Sequence, residues 1–132
     1  MGVEQEILES CHVVAIVGLS SDEDRPSNHV GTYLQMKGYH IIPVNPEEQV
    51  VLGETCYPNL SSIPEKVDVV DIFRRSESAL PIVEEAIKIA AKAVWMQEGV
   101  SNEEAAQKAA RAGLKVVQNK CMLKEHVRIF GV

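Results

Sequence analysis

The chain has 132 residues, 45% apolar and 24% charged, and its 19 acids against 13 Lys and Arg give a net charge of -6. That apolar fraction excludes a disordered chain, and no window approaches the roughly 20 consecutive apolar residues that span a bilayer. The acidic balance argues against non-specific nucleic-acid binding, which requires many neutralised phosphates, but not against an anionic small ligand in a locally basic pocket.

Residues 1–10 carry three glutamates and no Lys or Arg, which does not fit a secretory signal, and residues 3–10 suggest an N-terminal helix. Residues 12–17, His-Val-Val-Ala-Ile-Val, form a β-rich run ending at Gly18, the pattern of a strand buried on both faces. After a polar loop, Pro26 suits the first turn of a helix, where its missing N–H has no partner to lose. Val30, Tyr33, Leu34 and Lys37 line one face of that helix and Gly38 stops it.

Residues 40–44 make a second strand, with Pro43 a sign of an edge or a bend, and Asn45-Pro46 ends it. Residues 47–66 promise little regular structure beyond a short helical turn. Residues 67–73 are a third strand, and Ser78 is placed to cap a helix whose inner face is Leu80, Val83, Ala86, Ile87 and Ala90. Residues 93–96 are a fourth strand. Ser101 with Glu104 makes a capping box for a helix running through Ala105, Ala106, Ala109 and Ala110 to Gly113. Residues 114–117 are the fifth strand, and residues 125–129 suggest a last helix.

Strands separated by helices of 10–15 residues imply an α/β, three-layer, doubly wound fold with a five-stranded parallel sheet, for which the expected strand order is 3-2-1-4-5. In such a sheet ligands bind beyond the carboxyl ends of the strands. The segment after the first strand suits phosphate. Gly18 admits a close backbone approach, Leu19 follows it in the candidate loop, and Ser20, Ser21, Ser27 and Asn28 supply short donors. Pro26 opens a helix whose N-terminus favours an anion, and Arg25 adds a guanidinium. The competing reading makes Gly18 a simple turn and pairs Arg25 with Asp22 or Asp24. A Gly-x-Gly-x-x-Gly fingerprint is absent, and Asn45-Pro46 stands where a dinucleotide site wants an acid. NAD(P) therefore ranks second. Arg74 and Arg75, beyond the third strand, suit a further phosphate or are an ordinary solvated pair. Gln97 and Gly99 offer an amide and a close approach, or merely a turn.

Gly18-Leu-Ser-Ser21, Arg25-Pro-Ser27, Gly38-Tyr39, Pro43-Val-Asn-Pro46, Val67-Asp68, Phe73-Arg74, Trp95-Met-Gln-Glu-Gly99 and residues 121–126 together resemble the small stand-alone CoA-binding proteins. Their Rossmann-like domain is similar to the CoA-binding domain of the succinyl-CoA synthetase α subunit. The resemblance covers nearly the whole chain and implies one CoA-binding domain over residues 1–132 with coenzyme A as ligand. It places the pyrophosphate at residues 18–28, and the adenosine near Asn45, Pro46 and Phe73. Arg74 becomes a candidate for the ribose 3′-phosphate, and Gln97 and Gly99 would line the path of the pantetheine arm. One departure is Asn119-Lys120 where the family commonly has Asp-Arg, so Lys120 preserves that position only in part.

No convincing catalytic set emerges. Cys121 and His126 would meet on one helical turn if the tail is helical, although a lone cysteine after a core strand is more often a small buried apolar residue. Cys11, Cys56 and Cys121 are an odd number, and with four histidines they match no common zinc spacing, which argues against a metal and for a reduced, cytoplasmic protein. The related synthetases carry their phosphorylated histidine in a second domain, for which this length leaves no room. The expectation is a non-catalytic module that carries or senses CoA or an acyl-CoA, without nucleic-acid or membrane partners and with a protein partner unidentified. The alternatives are an NAD(P)-binding or CoA-dependent enzyme, and the CoA-binding subunit of a split acyl-CoA synthetase.

Overall fold

The computed structural model describes residues 2–131. In chain order it contains α1 (Val3–Ser10), β1 (Val13–Val17), α2 (Pro26–Met36), β2 (His40–Val44), β3 (Val50–Val51), β4 (Glu54–Thr55), β5 (Val69–Ile72), α3 (Ala79–Lys88), β6 (Ala93–Met96), α4 (Glu103–Arg111), β7 (Lys115–Val117) and α5 (Met122–Phe130). Five strands form one parallel sheet, in the order β2-β1-β5-β6-β7. Side chains alternate between its faces, as the period of two requires. Ala15, Val17, Val70, Ile72, Val94 and Met96 pack on α3 and α4. Val14, Ile16, Val69, Trp95 and Val117 pack on α1, α2 and α5. The three-layer α/β class is as expected.

The strand order is not. Numbered by the five expected strands it is 2-1-3-4-5, so β5 lies beside β1 instead of beyond β2. Two side chains account for this. The Asp68 carboxylate accepts the N–H groups of His12 and Val13 at 2.9 and 3.0 Å, which pins the entry of β5 against the entry of β1. Pro43 in β2 needs no ladder donor on its outer side, where its carbonyl accepts only from Tyr57 N–H at 3.0 Å. The proline therefore belongs to an edge strand, and its own warning was the better guide to the order.

Several local expectations also change. Asn102, not Ser101, caps α4 by accepting the Ala105 N–H at 3.0 Å. Ser78 closes a short 3-10 turn at residues 76–78 and makes no capping bond. Lys37, Ala90 and Ala110 lie exposed. Residues 47–66 hold a two-residue antiparallel hairpin, β3–β4, besides the expected helical turn. Its tip, Leu52-Gly53, has φ of 54° and 77°. No turn dipeptide rich in Asn or Asp advertised it. Leu52 reaches α2 at Gly31, where a Cβ would stand 2.9 Å from its Cδ1.

Candidate functional site

The carboxyl ends of β1 and β5 lie side by side, with β2 continuing the sheet on one side and β6 on the other. This is the switch point of the fold, where the connections leave in opposite directions and open a crevice. At its centre Gly18 adopts φ +93°, and a Cβ there would collide with the Phe73 carbonyl oxygen. It would also come within 3.4 Å of the Arg74 guanidinium carbon. Only glycine lets these two backbones approach so closely.

Two clefts meet at Arg74. The first, of about 330 Å³, is lined by Gly18, Ser20, Arg25, Asn45, Glu47, Glu48 and Arg74. The second, of about 620 Å³, is lined by Phe73, Arg74, Arg75, Ser78, Gln97, Glu98, Gly99 and Val100. Arg74 and Arg75 enter no ion pair among the described residues. Their charge stands available at the edge of an otherwise acidic molecule. A larger depression, of about 670 Å³, lies between α2 and the β3–β4 hairpin and reaches Ser21 and Asn28 of the loop after β1. It has no Lys or Arg in its lining and so offers an anion no fixed positive charge.

The expected site residues divide into those that face a cleft and those that build it. Leu19 is fully buried under the loop, and its carbonyl accepts from Asn45 Nδ2 at 3.2 Å. Ser27 and Asn28 are buried too. Ser27 Oγ accepts the Ser20 N–H at 3.1 Å, and Asn28 Nδ2 donates to the Ser20 carbonyl at 2.9 Å. These bonds fix the loop onto the start of α2, whose first residue is Pro26. Arg25 is exposed, with Nε 3.8 Å from Asp22, a loose surface pair of the kind the competing reading foresaw. Asn45 Oδ1 accepts the Glu47 N–H at 3.0 Å, and Pro46 is exposed.

Ser21 is already occupied. Both its N–H and its hydroxyl donate to Glu48 Oε2, at 3.0 and 2.6 Å, and these bonds hold the Glu48 carboxyl below the usual carboxylate range. Neither Glu47 nor Glu48 was anticipated. Their place, just past the second strand, is the signal that would have found them.

In the second cleft, Gly99 has φ +88°, and its N–H donates to Asn119 Oδ1 at 2.7 Å. Gln97 is 1% exposed and its amide is engaged inside the protein, donating to Asp71 and accepting the Met122 N–H at 3.3 Å. The Gln97 side chain therefore supports the cleft and does not offer its amide to it. Lys120 is not drawn to either cleft. Its Nζ pairs with Glu4 at 2.8 Å, tying β7's exit to α1. That hydrogen bond pushes Lys120 up and Glu4 down from their ordinary values.

Cys121 and His126 do not form a pair. His126 is buried, its Nδ1 lies 2.8 Å from the Tyr33 hydroxyl, and the rings of Tyr39 and Phe130 flank it. Burial, with help from Lys37, lowers its pKa, which favours the neutral ring beside the Tyr33 hydroxyl. Among the described residues no three His, Cys, Asp or Glu side chains gather to hold a metal ion, and no helix is long and apolar enough to cross a membrane.

With this geometry in view, known proteins supply a context. A family model described as a CoA binding domain matches residues 12–127. An uncharacterized protein of Bacillus subtilis, YneT, is 38% identical over 122 residues, covering 92% of this chain and 90% of its own length. The solved structure of a hypothetical protein from Pyrococcus horikoshii OT3 superposes with a TM-score of 0.95 at 43% identity, over 99% of this chain and 94% of that one. An ADP-forming acetate–CoA ligase of Archaeoglobus fulgidus is 30% identical over 120 residues, 83% of this chain but only 18% of the ligase. The matched stretch takes in all five strands of the sheet and both clefts, and on that ground the chain belongs to the family of CoA binding domains.

Proposed function

We propose that the protein binds coenzyme A or an acyl-CoA along the carboxyl edge of its sheet, as a non-catalytic carrier, sensor or partner module. The observation that carries this reading is the Gly18–Phe73 approach, which opens a backbone cradle beside Arg74. In this reading the pyrophosphate lies on the Gly18 loop and the N-terminus of α2, with Arg25 at its rim. The adenosine lies by Asn45, Pro46 and Phe73. Arg74 takes the 3′-phosphate, Arg75 strengthens the local field, and the pantetheine arm follows the second cleft past Gly99. Among the described residues no assembled nucleophile and base flank this path, which is why binding is preferred over catalysis. Domain extent over residues 1–132 and a cytoplasmic setting belong to the same proposal.

A second reading, a dinucleotide, draws on Glu47 and Glu48, carboxylates near the position where ribose hydroxyls are bound in NAD sites. Calorimetric titration with CoA, dephospho-CoA and NAD separates the two. CoA is expected to bind most tightly and dephospho-CoA more weakly. NAD binding without CoA binding would reverse the order of the readings.

A further inference from the structure

Beneath the second cleft lies a polar chain inside the hydrophobic layer. Asp71, on β5, is fully buried. Its Oδ1 accepts from Gln97 Nε2, and Gln97 Oε1 accepts the N–H of Met122, the first residue of α5. The Met122 N–H fixes the orientation of the Gln97 amide, since only its oxygen can accept, and Nε2 must then face Asp71. Asp71 Oδ2 is left with no hydrogen-bond partner among the described residues. Three elements, β5, β6 and α5, thus converge through one side-chain amide directly under the turn from Gln97 to Val100. That turn is a wall of the cleft, closed by the Val100 N–H on the Gln97 carbonyl at 2.8 Å.

The surroundings of Asp71 contain no charge to stabilise an ionised carboxylate. In register it sits between Ile16 of β1 and Trp95 of β6, neither of which titrates. Burial pushes the carboxyl up to about 8, against a modest opposing effect from Gln97, and no charged neighbour contributes. An acid placed here costs stability that an apolar residue would not, and its position two residues before Phe73 and three before Arg74 gives that cost a functional reading.

Resting on the CoA reading above, we infer that Asp71 is a positioning residue of the ligand cleft: as a neutral acid it holds Gln97, the 97–100 turn and the head of α5 in the binding arrangement, and its ionisation weakens the hold on an anionic ligand. Oδ2 lacks a partner in either state, but left unpaired it costs more when the carboxyl is ionised. An ionised Asp71 therefore draws water to it, which loosens the wall. The new charge also subtracts from the positive field of Arg74 and Arg75. By linkage, a phosphorylated ligand must in turn raise the pH at which Asp71 ionises.

The test is titration calorimetry from pH 6.5 to 9.5 with CoA and with thiol-free 3′-phospho-ADP, on the wild type and on Asp71→Asn. The wild-type affinity for both ligands is expected to hold up to about pH 7 and then fall roughly fivefold or more. Asp71→Asn keeps the amide-bonded geometry and is expected to lose that fall. A decline of equal size in both proteins overturns the inference. A second measurement needs no variant: the Asp71 carboxyl carbon, followed by NMR, is expected to titrate at higher pH with CoA than without it. An unmoved midpoint in a protein that binds CoA overturns the inference while leaving the CoA reading intact. Absence of CoA binding at every pH in both proteins removes the CoA reading, and the inference with it.

Discussion

The two clefts share Arg74 but are built in opposite ways. The cleft at Gly18 is walled by a loop whose donors are spent within the rim itself, Ser20 on Ser27, Ser21 on Glu48 and Asn45 on Leu19, so its shape is set by exposed or half-buried bonds. The cleft at Gly99 is walled by a turn held from behind, through Gln97 to Asp71 and Met122 and through Asn119 to Gly99. A local wall should fail residue by residue, whereas a wall supported from the interior should respond to burial and pH. That contrast can be broken experimentally.

The largest effect is expected where the two clefts touch. Gly18→Ala puts a Cβ against the Phe73 carbonyl in a backbone region that alanine rarely adopts, and should lose about 3 kcal/mol of stability together with CoA binding. A variant with an unchanged denaturant midpoint would show that the approach is not tight. Next comes Arg74→Ala, which removes a charge-assisted contact and should weaken CoA by ~1.5–3 kcal/mol. Its effect on dephospho-CoA should be smaller. Equal losses for the two ligands would take the 3′-phosphate away from Arg74.

The wall at Gly99 should reveal itself in the pH dependence of stability. An unfolded aspartate titrates near pH ~3.9, whereas burial pushes native Asp71 up to about 8. Between those values the folded protein binds one more proton than the unfolded chain, so stability falls as pH rises across the window and levels off above it. Asp71→Asn should flatten that part of the curve, as thermal unfolding at pH 4 to 9 would show. An identical slope in both proteins would mean that Asp71 is ionised in the fold.

The smallest effect belongs to the wall at Gly18. Glu48→Gln withdraws a negative charge from the rim and weakens the grip on the Ser21 N–H and hydroxyl, so CoA should bind a few-fold more tightly. Weaker binding would make Glu48 a ligand contact, as the dinucleotide reading requires.

Much of the fold was legible because its signals are local. The spans of β2 and β6, the start of α2 at Pro26 and its stop at Gly38 follow from apolar runs and from residues with restricted or unusual backbone preferences. The clustering of Gly18 with Arg74 was legible only through the general rule that ligands collect at strand ends. The caps misled where two neighbouring polar residues, Ser101 and Asn102, competed for one role. The place of Glu48 past β2 was readable, but its bond to Ser21, 27 residues away, was not; Asp71 was silent because nothing nearby in sequence marks Gln97, 26 residues away.

By itself, then, the sequence determined the layered α/β class and the glycine and arginines at the carboxyl ends of the strands, because short apolar runs and turn residues act over a few positions. The tertiary structure decided the order of the strands, through the Asp68 clamp on β1 and the edge placement of Pro43. It also decided which polar groups face the clefts and which are spent inside. Ser27, Asn28, Gln97 and Lys120 carry the same chemistry either way, and only their partners, some more than 20 residues distant, settle how that chemistry is used.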